Sequence, residues 1–350
     1  MRYRRLLTIN ILQILILLLG SFGITCRAVA GEAQPVGIGL TREASAAPLF
    51  IAVEEGYFAA EGLEPHLTFF NDDSLVSAAV ASGKLDIGFA ALSSSFFSFA
   101  AAHDLKMIAS RSSDQSRFPM HVLLMKKEAH SARLDGIREL TGARIGVSDT
   151  GSSAYYALFD IASRFGLAPD AMKTVSLKSS GDELRALSRQ EIDAALLPYP
   201  AALHSATRQN SLLPLSNFAQ WQQGVVFTTA KDIAIKHDLV ERFVRAYQHG
   251  TADYALNFLQ YDDGGDFIPG PRYATYLELI ARQAHVSPQV LAMTKTYCDR
   301  RANLDSADIW GQVQFWESRG RLDKRIVAAD LIDLSFIGSE NAAAAQPLQR

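Results

Sequence analysis

Two stretches of this chain carry the same punctuation about a hundred residues apart, which constrains the fold more than any other feature. Tyr57-Phe58-Ala59-Ala60-Glu61-Gly62-Leu63-Glu64-Pro65 is echoed by Ile161-Ala162-Ser163-Arg164-Phe165-Gly166-Leu167-Ala168-Pro169. Each reads as a helix end, then Gly-Leu-x-Pro, then a strand. Further on, Ala79-Val80-Ala81-Ser82-Gly83-Lys84-Leu85-Asp86-Ile87 is echoed by Arg185-Ala186-Leu187-Ser188-Arg189-Gln190-Glu191-Ile192-Asp193-Ala194. Gly62 to Gly166 is 104 positions and Asp86 to Asp193 is 107, so the spacing is nearly kept. One echo would be common turn chemistry; two in register imply two similarly built lobes.

The hydrophobic pattern around the echoes alternates strand and helix. Strands are predicted at Val36–Leu40, His66–Phe70, Ile87–Ala91, Met107–Ser110, Met120–Met125, Arg144–Val147, Thr174–Leu177 and Ala194–Leu197. Helices are predicted between them at Pro48–Glu55, Ser74–Ser82, Ser93–Ala102, near Arg138, Ser153–Phe165 and Gly181–Ser188. Short loops between alternating elements point to α/β layering with mostly parallel sheets. After Thr229 the pattern turns helical, at Leu239–Leu259, Tyr273–Ala284, Pro288–Thr296 and Ala307–Ser318.

The amino terminus sets the expected compartment. Arg2, Arg4 and Arg5 precede the apolar run Leu6–Gly23, then Ala28-Val29-Ala30. Basic residues, a greasy stretch and small residues at the end are the order of a secretory signal peptide, here residues 1–30. An uncleaved anchor is the competing reading, weakened by Asn10 and Gln13 inside the run. Those 30 residues hold four Arg and no acid, so their removal would take the net charge from -3 to -7. The expected product is a periplasmic, soluble protein. Its remaining cysteine, Cys298, reads as a small buried hydrophobe.

Composition excludes several classes. A chain that is 48% hydrophobic has material for a core, and a negative net charge disfavours a nucleic-acid partner. Two cysteines and eight scattered histidines form neither a disulfide framework nor a metal site. There is no nucleophile elbow, phosphate loop, dinucleotide fingerprint or zincin helix. No metal, cofactor or enzymatic activity is expected.

Three loops at strand ends have binding character. Glu43-Ala44-Ser45-Ala46-Ala47, Ser93-Ser94-Ser95 and Thr150-Gly151-Ser152-Ser153 each precede a helix. Helix amino ends present free N–H groups to the crevice at the strand carboxyl ends, although serine there also serves as an ordinary N-cap. Arg111 and Arg117 fall in the polar segment Ser110–Phe118, which reads as a solvated loop able to meet an anion. Tyr199 follows a strand and reads either as a cleft wall or as packing.

Ala47-Pro48-Leu49-Phe50-Ile51-Ala52-Val53-Glu54-Glu55-Gly56-Tyr57-Phe58, with Ala81-Ser82-Gly83-Lys84-Leu85-Asp86-Ile87-Gly88, carries a specific resemblance. It resembles the substrate-binding proteins of nitrate/sulfonate/taurine-type ABC importers, a family that includes thiamine-pyrimidine binders. Ile145-Gly146-Val147, Gly151-Ser152-Ser153-Ala154-Tyr155-Tyr156, Glu191-Ile192-Asp193-Ala194-Ala195 and Phe243-Val244-Arg245-Ala246-Tyr247 also fit, so the likeness runs from about Val36 to Leu259. The resemblance implies a type II periplasmic-binding fold: two α/β lobes, a central cleft and two hinge crossovers, near Phe118–His121 and Gly224–Thr229. Residues 35–121 and 225–335 would form the first lobe, 122–224 the second, and 336–350 a disordered tail.

By position, the resemblance assigns ligand contacts to Ser45, Ala46, Ser93 and Ser94 in the first lobe. In the second lobe it assigns Gly151, Ser152, Ser153 and Tyr156, with Tyr199 on the wall and Arg117 for an anionic head group. It implies a monomeric carrier that captures a small organic molecule, such as a sulfonate or aromatic carboxylate, by hinge closure and delivers it to ABC permease transmembrane subunits. Phe96, Phe97, Tyr155, Tyr156 and Tyr199 would suit an aromatic or larger organic ligand, and no basic cluster for small inorganic anions is visible. The alternatives are a periplasmic ligand sensor, or a pyrimidine-precursor binder or thiamine-pyrimidine-synthase-like enzyme. The yeast synthases of that kind carry a cysteine-rich segment that this chain lacks.

Overall fold

The computed structural model describes residues 32–126, 137–138, 140–168, 171–207, 210–323 and 325–337. The expected signal peptide, residues 1–30, lies outside them. The chain runs β1 (Gln34–Thr41), α1 (Ala47–Glu54), α2 (Tyr57–Ala60), β2 (Leu63–Phe70), α3 (Asp73–Ala81), β3 (Ile87–Ala91), α4 (Ser94–Ala102) and β4 (Leu105–Asp114). It continues with β5 (His121–Lys126), β6 (Arg144–Val147), α5 (Ser153–Arg164), β7 (Lys173–Ser176), α6 (Ser180–Ser188), β8 (Ala194–Pro198), α7 (Tyr199–Ser205) and β9 (Asn210–Pro214). After β10 (Trp221–Thr229) come α8 (Ala230–Ile235), α9 (His237–Phe258), α10 (Tyr273–Ala284), α11 (Pro288–Met293) and α12 (Ser306–Ser318). The helix expected near Arg138 falls mostly among residues that are not described.

Ten strands form two five-stranded sheets, ordered β2-β1-β3-β10-β4 and β7-β6-β8-β5-β9. In each, three parallel strands meet one antiparallel strand, β10 in the first sheet and β5 in the second. That is the two-lobed periplasmic-binding-protein architecture expected from the sequence. The echoes mark equivalent places in the lobes. Gly62 and Gly166 both adopt left-handed φ, +68° and +75°, at helix ends, where a side chain would be strained. Asp86 accepts from the Gly37 N–H at 2.8 Å, and Asp193 accepts from the Arg144 N–H at 2.8 Å. Each aspartate thus clamps its lobe's central parallel strand, Asp86 midway along β1 and Asp193 at the start of β6. A cation balances each: Lys236 lies 2.6 Å from Asp86, and Arg144 lies 2.9 Å from Asp193.

Both crossovers leave the first sheet side by side, because Trp221 pairs with Asp114 and Gln222 with Ser113. The buried Asp114 carboxylate closes the first crossing by accepting from the N–H groups of Met120 at 3.2 Å and His121 at 3.1 Å. The return crossing precedes Trp221, at 215–220, and not at Gly224–Thr229. Those residues lie inside β10, every one of whose positions is buried. The pattern does not reveal the strand because polar Gln222 and Gln223 follow its first residue, Trp221. The Gln222 amide is satisfied internally, donating to Ser110 Oγ at 2.8 Å and to the Gly224 carbonyl at 2.7 Å.

Period-two alternation divides the second sheet's residues between two cores. Leu123 and Met125 join the main core, while Val122 and Leu124 join a smaller one with Leu187 and Ile192. The expected tail from 336 is corrected at its start. Phe336 and Ile337 are buried, with the His237 ring 5.0 Å from Phe336, because these apolar side chains find a place in the main core. Residues 338–350 lie outside the description. Cys298 is buried, as expected of a small hydrophobe. Among the described residues no helix is long and apolar enough to cross a membrane.

Two packing features give measurable consequences. Long α9 lies against α1 so closely at Gly250 that a Cβ there would collide with the Pro48 carbonyl oxygen and sit 2.8 Å from Ala52 Cβ. Gly250→Ala is expected to lower unfolding free energy by about 1–3 kcal/mol, read from the denaturation midpoint. The second feature is Asp308 on α12, which ties the lobes together. Its carboxylate accepts from Tyr156 Oη of α5 at 3.1 Å, Gln222 N of β10 at 2.7 Å and Gln312 Nε2 at 2.9 Å. Burial still pushes Asp308 up to about 7, and burial likewise pushes Glu183 up to about 7. Carboxyls raised in the folded state retain protons that the unfolded chain has lost, so stability falls as pH rises from about 4 to about 7. Asp308→Asn and Glu183→Gln are each expected to flatten that decline in urea midpoints measured across the window.

Candidate functional site

A cavity of about 810 Å3 opens between the two sheets. The first lobe lines it with the carboxyl ends of β1, β2 and β3 and with Gln223 of β10; the second contributes Asp149, Ser152 and Ser153. This is where an open α/β sheet places a ligand, since parallel strands end there and the following helices begin. The amino ends of α3, α4 and α5 converge on it, each capped from within. Asp72 accepts from Ser74 N at 2.6 Å, Ser93 Oγ from Phe96 N at 3.1 Å and Ser152 Oγ from Tyr155 N at 3.3 Å.

The lobes touch across the cavity. Ser93 and Ser152 form an isolated antiparallel bridge, and the Ser94 N–H donates to the Gly151 carbonyl at 2.9 Å. Ser153 Oγ donates to Gln223 Oε1, a second link from one lobe to the other. Gly151 makes the approach possible: a Cβ there would lie 2.8 Å from Ser94 Oγ. The arrangement is that of a closed cleft.

Charge in the cavity is arranged around a buried guanidinium. Arg111 is only 2% exposed, and its Nη2 lies 2.9 Å from Glu43 Oε2. Burial opposes its charge, yet Glu43 and Asp73 outweigh burial and raise its pKa. Asp73 accepts from Thr41 Oγ1 at 3.1 Å and from Ala91 N at 2.7 Å. Burial, the largest influence, pushes Asp73 upward against the pull of Arg111. Hydrogen bonds from Ser74 hold Asp72 below the usual carboxylate range. Phe69, Phe70, Phe96 and Phe99 supply apolar wall.

Of the residues expected to contact ligand, Ser93, Ser152 and Ser153 line the cavity. Ser94 and Gly151 stand at the contact between lobes instead. Ser45 and Ala46 are buried behind the lining, where Ser45 Oγ donates to Glu43 Oε2 at 3.1 Å. Tyr156 turns away, toward Asp308 and a separate cavity of about 620 Å3 beside α12. Its neighbour Tyr155 stacks on Trp316 with ring centres 6.2 Å apart. Arg117 lies on the first crossover with its guanidinium 5.0 Å from the Tyr261 ring centre, so it does not face the cavity. Tyr199 opens α7 and packs on the smaller core. Phe96 is on the wall, whereas Phe97 is core.

The sequence reading missed the carboxylates Glu43, Asp72, Asp73 and Asp149 as a group, together with Gln223 and the Phe69-Phe70 wall. Their signal was present: an apolar strand ending in Phe69-Phe70, then Asn71-Asp72-Asp73-Ser74, is a helix start placed at a strand carboxyl end. Among the described residues no cluster of metal-ligating side chains occurs.

Comparisons with known proteins agree with this fold. The structure is similar to a putative sulfonate ABC transporter periplasmic sulfonate-binding protein SsuA from Methylobacillus flagellatus KT, with TM-score 0.65 and 13% identity, covering 89% of this chain and 95% of that one. It is similar to the periplasmic aliphatic sulphonate binding protein SsuA from Escherichia coli, with TM-score 0.63 and 14% identity over 84% and 95%. The periplasmic nitrate-binding protein NrtA from Synechocystis PCC 6803 gives TM-score 0.56 and 10% identity over 86% of each chain. At these identities the likeness is one of fold. A curated 4-amino-5-hydroxymethyl-2-methylpyrimidine phosphate synthase from Aspergillus parasiticus is 28% identical over 150 residues, 43% of this chain and 41% of that protein. The match therefore spans less than half the length of that relative. The NMT1/THI5 like family model matches residues 43–257, more than half of the sequence, and the chain belongs to that family.

Proposed function

We propose that this protein is the periplasmic solute-binding component of an ABC importer. It captures a small organic molecule between its lobes and presents the closed form to the transmembrane subunits of a permease, acting as a monomer. The observation that carries this reading is the cavity walled by both lobes, with Ser93 and Ser152 bridged across it. Contacts made to both lobes exist only when the cleft is shut, so a bound solute shifts the open–closed equilibrium toward closure. A volume of about 810 Å3 suits an organic solute rather than a triatomic or tetratomic anion. The sulfonate-, nitrate- and sulphonate-binding neighbours support a binding role, and the basic amino terminus with its apolar run supports export.

The match to the Aspergillus parasiticus synthase favours a second reading, chemistry on a pyrimidine precursor in the same cleft. The two differ in what leaves the protein. Mass spectrometry of protein loaded from a cell extract is expected to recover a small molecule that is also present, unchanged, in the extract. Recovery of a chemically altered molecule instead would favour the synthase reading.

Closure itself can be tested without knowing the solute. In Gly151→Val the new side chain meets Ser94 Oγ only when the lobes are together. The variant is expected to keep its thermal midpoint and to show a larger radius of gyration by small-angle scattering than the parent. An unchanged radius would mean that this contact does not govern closure.

A further inference from the structure

We infer that the solute taken by the cleft is an organic cation, a protonated amine or amidinium-type group carried on an apolar or planar body. That ligand class presupposes the solute-binding reading above and narrows it. The carboxylates of Glu43, Asp72, Asp73 and Asp149 all line one cavity, and Arg42 is the one guanidinium or ammonium among the lining residues. Arg42 is already engaged, lying 3.7 Å from the ring centre of Phe69 on the same wall and donating to the Gln283 carbonyl at 3.2 Å. Arg111, behind the lining, is held by Glu43. An entering anion would therefore meet an excess of negative charge at the lining, with the guanidinium there already engaged and Arg111, whose Nε has no hydrogen-bond partner, set behind it.

The helix ends tell the same story. An anion-binding cleft of this architecture would use the free N–H groups and positive end of a helix. Here the amino end of α3 already holds a carboxylate of the protein itself, Asp72. The amino ends of α4 and α5 are capped by Ser93 and Ser152.

Two carboxylates on opposite lobes keep an oxygen in reserve. Glu43 uses Oε2 for Arg111 and Ser45, and Asp149 uses Oδ1 for the Gly151 N–H at 2.8 Å. Glu43 Oε1 and Asp149 Oδ2 have no protein partner among the described residues. A cation placed between the lobes gains from both charges only in the closed form, which is what couples binding to closure. Phe70, Phe96 and Phe99 cover the apolar body that carries the cation, Phe69 already having Arg42 over its ring.

Titration calorimetry against benzylamine, benzyl alcohol and benzenesulfonate varies the charge on one ring. Benzylamine is expected to bind at least about tenfold more tightly than either of the others, and to be the only one weakened by added salt. Asp149→Asn keeps an acceptor for the Gly151 N–H and is expected to weaken benzylamine about tenfold, leaving benzyl alcohol unchanged. Glu43→Gln would strand buried Arg111, so the Asp149 variant carries the test. Tighter binding of benzenesulfonate, or an Asp149→Asn protein that binds benzylamine as the parent does, overturns the cation assignment and leaves solute binding standing. Silence from all three compounds at millimolar concentration overturns both.

Discussion

The pairing of β4 with β10 decides where this molecule can bend. Because Trp221 sits opposite Asp114, the chain leaves the first sheet and re-enters it at one point, and the second sheet hangs from two adjacent strands. The same pairing puts an antiparallel strand beside β3 and carries Gln223 into the cleft. Asp114 stiffens one crossing through its bonds to Met120 and His121, and Asp308 braces the other side through Tyr156 and Gln222. The lobes are thus joined at two adjacent strands, one of which also lines the cavity through Gln223.

What the sequence made legible followed from periodicity and punctuation. Apolar runs mark the parallel strands, and serine or proline opens the helices after the first three, so β1, β3, β6 and β8, with the helices that follow β1, β3 and β6, could be placed from pattern alone, whereas the helix after β8 was not read. The twin aspartates at 86 and 193 were legible as equivalent positions, although their shared duty of clamping a central strand needed the backbone geometry. Pattern failed where polarity and burial part company. Ser110 to Asp114 reads as a solvated loop but is buried strand, because Arg111 is neutralised by Glu43 and the Ser110 hydroxyl is held by Gln222. Gln222 and Gln223 hid β10 for the same reason.

The site was half legible for a related cause. Serines before helices announce cap and cleft alike, and Ser93 and Ser152 do both. Glu43 falls in a loop read as binding through its serine, and Asp73 and Asp149 drew no reading, since nothing in one dimension shows that the three face one space. Arg117 carried the expectation of an anion, yet the guanidinium that matters is Arg111, six positions earlier, and it faces Glu43. The charge of the cleft is a property of three loops brought together by the fold.

The carboxyl-terminal strap has an outcome for how such a chain is made. Met107 of edge strand β4 donates its N–H to Leu331 and accepts from Asp333, so the last described segment finishes a sheet begun at Gln34. Strand β10 must likewise arrive before β3 and β4 gain their shared neighbour. Contacts this remote in sequence form late and raise the contact order, so no ribosome-bound fragment ending before residue 221 contains a finished first sheet. The second sheet, complete by Pro214, can form before that point, so the lobe inserted in the middle of the sequence closes ahead of the lobe that holds both ends.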